Sequence, residues 1–139
     1  MKIHISDKRR ISAVQQEFSK AFPYLRIEFF SVAPKPGKGV AKKYMILPDN
    51  KSVGECRRIH KSNSIAITPR MKVNQLEKIF LDDYGLTVQV FRKSGRVWLE
   101  TTMTDDWTLA EQNRQGEELS RHPREKTESY PADDYHEQE

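Results

Sequence analysis

Cys56 and His60 are the one pair in this chain with both the chemistry and the spacing to hold a metal. At i, i+4 they would share a helix face. A structural zinc needs four ligands, however, and a catalytic one about three. His4, His122 and His136 are scattered and bring no second pair, so neither a metal nor any other cofactor is expected. Arg57 and Arg58 can lower the pKa of an exposed Cys56 thiol, but a nucleophile also needs a base and an orienting group. The expected roles are a packed thiol for Cys56 and a surface position for His60. The acid pair Asp82-Asp83 lies near a helix end and reads as a solvated face. Asp105-Asp106 precedes a helix, where the dipole favours acids. The stretch from Pro34 to Gly39, PKPGKG, has neither spacing of a phosphate-cradling loop and reads as a flexible basic loop. No catalytic constellation emerges, and the chain is not expected to be an enzyme.

Charge supplies the stronger hint. The 139 residues carry 24 Lys and Arg against 20 Asp and Glu, a net +4. Residues 1–103 hold 20 basic and 9 acidic residues, whereas residues 104–139 hold 4 and 11. The body is therefore strongly basic and the tail acidic, which bears on partners rather than fold. In the hairpin region Phe91 and Trp98 fall beside Arg92, Lys93 and Arg96. Exposed strand aromatics next to cations can stack on bases, so these five residues form the possible binding surface, although no stretch matches an RNP1 pattern. The same aromatics can instead pack beneath the terminal helix beside Trp107.

The elements that must position these residues follow from periodicity and punctuation. Residues 2–5 alternate as a strand. Ser6 is placed to cap a helix reaching about residue 22, with Ile11, Val14, Phe18, Ala21 and Phe22 as its apolar stripe. Residues 25–30 form a second strand with Leu25, Ile27 and Phe29 on one face. A basic, Pro/Gly-broken loop follows, with a possible short strand from residue 42 to 47. Ser52 and Glu55 make a capping box for a short helix to about His60, with Val53, Cys56 and Ile59 inward. A third strand ends at Pro69. Val73, Leu76, Phe80 and Tyr84 then mark one helix face, and Gly85 is placed to end that helix in a left-handed conformation. Two alternating runs, 86–92 and 97–102, form a hairpin about Lys93-Ser94-Gly95-Arg96. Thr108 and Glu111 open a terminal helix reaching 114 or 119. Phe18, Leu76, Phe80, Val88 and Val90 should meet in the core.

The element order, β-α-β, short helix, β-α-β-β, helix, specifies an α+β fold with a ferredoxin-like or related split β-α-β sheet. The last hairpin strand is expected to extend that sheet; a small α/β domain with parallel neighbours only is the alternative. One domain is expected over 1–116 and an acidic, mostly disordered tail over 117–139, where composition cannot offset ordering entropy. No apolar run nears the roughly 20 residues that cross a bilayer. The N-terminus MKIHISDKRR lacks the apolar core of a signal peptide, and a lone cysteine fits a reducing cytoplasm.

Residues 84–113, YGLTVQVFRKSGRVWLETTMTDDWTLAEQN, resemble a segment of a family of small uncharacterised bacterial proteins. The resemblance reaches back to Val73. It implies only that hairpin and terminal helix form one unit, and it carries no activity. The expected role is a non-enzymatic binding or interaction module with a protein partner and no membrane association. The alternative is a basic module binding nucleic acid weakly and non-specifically through the hairpin face; an enzyme ranks third.

Overall fold

The computed structural model describes residues 1–35, 38–46, 51–121 and 135–136. Strands β1 (Lys2–Ile5), β2 (Leu25–Phe30), β3 (Asn63–Ala66), β4 (Thr87–Ser94) and β5 (Val97–Glu100) alternate with helices α1 (Ile11–Ala21), α2 (Val73–Tyr84) and α3 (Leu109–Arg121). This is an α+β fold with the split β-α-β order expected. Its strands divide between two antiparallel sheets, β1-β3 and β2-β4-β5, which excludes the parallel-only alternative. The expected single sheet is thereby corrected. β1 pairs with β3 from Lys2 opposite Ala66 to Ile5 opposite Asn63, and β2 pairs with β4 along its whole length. A two-residue strand, β6 (Tyr135–His136), lies parallel to Trp98 and Leu99 on the outer edge of β5. The rest of the expected disordered tail, beyond Arg121, lies outside the described residues.

The main core joins Ile3 and Ile5 of β1, Ile11, Val14 and Phe18 of α1, Leu25, Ile27 and Phe29 of β2, and Val88 and Val90 of β4. Val73, Leu76, Phe80 and Tyr84 fill it from α2, so the helix face and the five-residue core read from periodicity are both present. Gly85 adopts φ 65°, and the Leu86 N–H returns to the Phe80 carbonyl (2.9 Å), closing the helix as its position predicts. Gly95, at φ 64°, turns the hairpin where Ser94 faces Val97.

Four local expectations give way to longer-range contacts. α1 starts at Ile11 rather than after Ser6, because Arg10 is drawn extended into a bridge with Ser52 and the Ile11 amide bonds the Lys51 carbonyl (3.1 Å). The Ser52–Glu55 box forms, but it opens only a 3-10 turn, Gly54–Cys56. Arg57 is extended beyond that turn, and Ile59 is 46% exposed instead of inward. Residues 42–44 also form a 3-10 turn, and only Met45 bridges β2, opposite Phe30. At the other end, α3 continues through Arg121, past the expected boundary at 116.

α2 and α3 cap each other. The Val73 and Asn74 amides, orphans at the start of α2, bond the Trp107 and Asp105 carbonyls (3.0 and 2.8 Å). The Leu109 and Ala110 amides of α3 bond the Met71 and Pro69 carbonyls (2.8 and 3.0 Å). Thr108 and Glu111 complete the box on α3, so the segment with Asp105 and Asp106 serves the start of α2 as well.

Gly116 lets α3 approach the sheet. A Cβ there would stand 2.8 Å from the Tyr24 Cβ and 3.1 Å from both the Arg92 Cγ and the Tyr24 carbonyl. Gly116→Val should therefore cost about 1–3 kcal/mol through overpacking, despite glycine's poor helix propensity. A lowered chemical-denaturation midpoint with unchanged slope would show it.

Candidate functional site

The hairpin surface read from the sequence divides in two. Phe91 and Trp98, 3% and 9% exposed, pack with Phe30, Val40 and Met45 on the sheet face turned away from the main core. The segment 38–46 covers them, not the terminal helix. The Arg26 guanidinium lies 5.2 Å from the Trp98 ring centre, within cation–π range. Neither ring offers a face to a base. Arg92 turns to the other side of β4 and is buried under α3, where its Nη1 donates to Gln112 Oε1 (2.9 Å). Gln112 in turn donates from Nε2 to the Thr104 carbonyl and hydroxyl (both 2.8 Å). Arg92 thus fastens α3 to the hairpin. Of the five residues, Lys93 is half-buried and Arg96 exposed, so the stacking surface is not assembled.

A second group gathers at the opposite end. With the helix ending at Cys56, the i, i+4 relation of Cys56 and His60 lapses, and His60 Nδ1 instead lies 2.7 Å from Asp7 Oδ2. Arg57 donates to Asp7 Oδ1 from Nε (3.0 Å) and Nη2 (2.8 Å), and to the Tyr84 carbonyl from Nη1 (3.3 Å). Arg57, followed by His60, holds the Asp7 carboxyl below its ordinary pKa. This network ties the end of β1 to the turn at 54–56 and the end of α2.

Above it opens a cavity of about 380 Å³ lined by Ser31, Ile46, Lys51, Glu55, Cys56, Arg57 and Arg58. Burial, with Glu55 adding to it, pushes the Cys56 thiol up. Lys51 pulls the other way and is outweighed, while Arg57, whose charge could lower an exposed thiol, is committed to Asp7. A protonated thiol is a poor nucleophile and metal ligand. Among the described residues no group of three His, Cys, Asp or Glu is placed to hold a metal ion.

A third feature escaped the sequence reading. Glu77 projects from α2 to β4 just beyond the end of the β5 ladder, where its Oε2 accepts the Val90 N–H (3.1 Å). Burial, then Asp105 and Glu100, raise its carboxyl to about 8 against the pull of the Val90 amide. A small cavity of about 210 Å³ lies beside it, walled by Pro34, Leu81, Thr87, Val88 and Gln89, with the Lys78–Asp82 pair (2.6 Å) also lining it. The signal was present: Glu77 lies four residues after Val73 and three before Phe80, an acid within the apolar stripe.

The site features therefore define a class no narrower than a small α+β domain with a basic cavity and, on α2, an acid whose carboxyl is desolvated. Comparison with protein-family models, with curated proteins and with solved structures gives no match. No helix among the described residues is long and apolar enough to cross a membrane.

Proposed function

We propose that this protein is a non-enzymatic binding module whose basic body engages an acidic protein partner, in the reducing cytoplasm of a bacterium. The observation that carries this reading is the division of the hairpin residues. The aromatics that base stacking needs are packed away, while the surface keeps its excess of cations. Without stacking, nucleic acid would be held only through phosphate charge, which is weak, sequence-blind and salt-sensitive. The lone cysteine fits a reducing compartment.

A salt titration of two labelled probes, an acidic polypeptide and a single-stranded oligonucleotide, tests it. Full-length protein should bind the polypeptide at low salt and lose most of that affinity by moderate salt. Removing residues 122–139 deletes 2 basic and 6 acidic residues and should strengthen binding to either probe. Oligonucleotide binding that survives high salt and weakens in a folded Trp98→Phe variant would replace this reading with the nucleic-acid one.

A further inference from the structure

We infer that the cavity lined by Ser31, Ile46, Lys51, Glu55, Cys56, Arg57 and Arg58 is the pocket that receives one acidic side chain of the partner, an inference that rests on the binding reading above. Charge bookkeeping selects the ligand. Arg57 has a fully buried side chain and is spent on Asp7 and the Tyr84 carbonyl. Its charge is balanced within the fold. Lys51 and Arg58 are exposed and bring two positive charges to the cavity. Glu55 brings one negative charge and is fixed in place by the Ser52 amide and hydroxyl (2.9 and 3.0 Å).

Among the described lining residues the surplus is thus one positive charge. It matches a single carboxylate, whereas a phosphate dianion would leave the site over-filled beside Glu55. The remaining wall supports the same choice. Ile46 and Cys56 are partly buried apolar groups packed on the main core, and they offer a surface for the methylenes of a Glu or Asp side chain. Ser31, also in the wall, is held by its amide on the Tyr44 carbonyl (2.9 Å). A carboxylate on a short aliphatic stem therefore finds cations for its head and apolar contact for its stem. The cavity volume of about 380 Å³ accommodates one such side chain with its first waters.

The position also explains the network beneath. Two orphan carboxylates facing one another would repel an acidic guest. Asp7 is instead turned to Arg57 and His60, and Glu55 is tied back to Ser52, so both native acids are oriented by the fold. The guest carboxylate meets Lys51 and Arg58 at the exposed side.

Fluorescence anisotropy with labelled hexaglutamate at low salt, using the full chain, tests the assignment. Lys51→Glu and Arg58→Glu should each weaken binding at least tenfold. Lys2→Glu and Lys20→Glu, equal charge reversals at exposed positions elsewhere, should weaken it several-fold less, because Coulomb attraction falls with distance from the bound carboxylate. Amide shifts on titration should centre on Cys56, Arg57 and Arg58. Equal weakening by all four reversals, with shifts spread over the body, would overturn the pocket while leaving the acidic-partner reading intact. No binding of hexaglutamate by the native chain would overturn both. Tighter binding of inorganic pyrophosphate than of glutarate, lost in the Lys51 and Arg58 variants, would keep the pocket and overturn the carboxylate ligand.

Discussion

Phe80→Ala should lower the unfolding free energy by about 3–5 kcal/mol, the range for truncating a buried aromatic. Phe80 is fully buried, and its ring meets Phe29 edge-on at 6.0 Å with an interplanar angle of 89°. This contact joins the middle of α2 to β2, so the lost area, the cavity and the aromatic pair all fall on one interface. Against a typical domain stability of about 5–15 kcal/mol, the change removes a large share. Chemical denaturation followed by far-UV circular dichroism is the measurement. A midpoint that does not move would mean that the α2 stripe does not face the core.

That stripe was legible because it depends on residues three and four apart. Val73, Leu76, Phe80 and Tyr84 needed no partner to declare a helix face, and Gly85 declared its end. The Ser52–Glu55 and Thr108–Glu111 boxes were legible for the same reason, each being closed within four residues. What failed depended on chain segments far apart. Ser6 is a sound local cap, yet α1 begins at Ile11 because Arg10 bridges Ser52, more than 40 positions away. The turn at 54–56 stops because Arg57 reaches Asp7, a pairing invisible to any local window.

The candidate site shows the same division. Phe91, Arg92, Lys93, Arg96 and Trp98 share one hairpin, but alternation along β4 sends Phe91 and Arg92 to opposite faces. Whether the outer face is wet depends on the segment 38–46, whose Val40 and Met45 pack over it. Proline and glycine punctuation marks a loop without saying what the loop covers. Glu77 was overlooked for the converse reason. An acid at that spacing conflicts with the apolar stripe, and such local conflict is itself the signal of a buried titratable group.

The desolvated carboxyl of Glu77 leads to the second large effect, a decline in stability as pH rises through neutrality. The folded-state pKa of Glu77 is raised from its ordinary 4.5 to about 8. Below 4.5 the carboxyl is protonated folded or unfolded and contributes no pH dependence. Between 4.5 and about 8 the unfolded chain releases the proton and the folded chain keeps it, so stability falls by up to about 1.4 kcal/mol per pH unit. Above about 8 both states are ionised and the loss levels off. Asp105, also raised by burial and by Asp106, acts in the same direction. The lowered carboxyls of Asp7, Glu55 and Glu111 act oppositely, their contribution fading only as pH falls through the acid range. Glu77→Gln separates the one group from the rest. The amide oxygen can still accept the Val90 N–H, and the side chain cannot ionise. Urea denaturation at pH 4.5 should find the two proteins close, whereas at pH 8 the variant should be the more stable by a few kcal/mol. Parallel pH profiles for the two proteins would show that the carboxyl reaches water and titrates normally. A variant already much weaker at pH 4.5 would show that the Val90 hydrogen bond needs the acid itself.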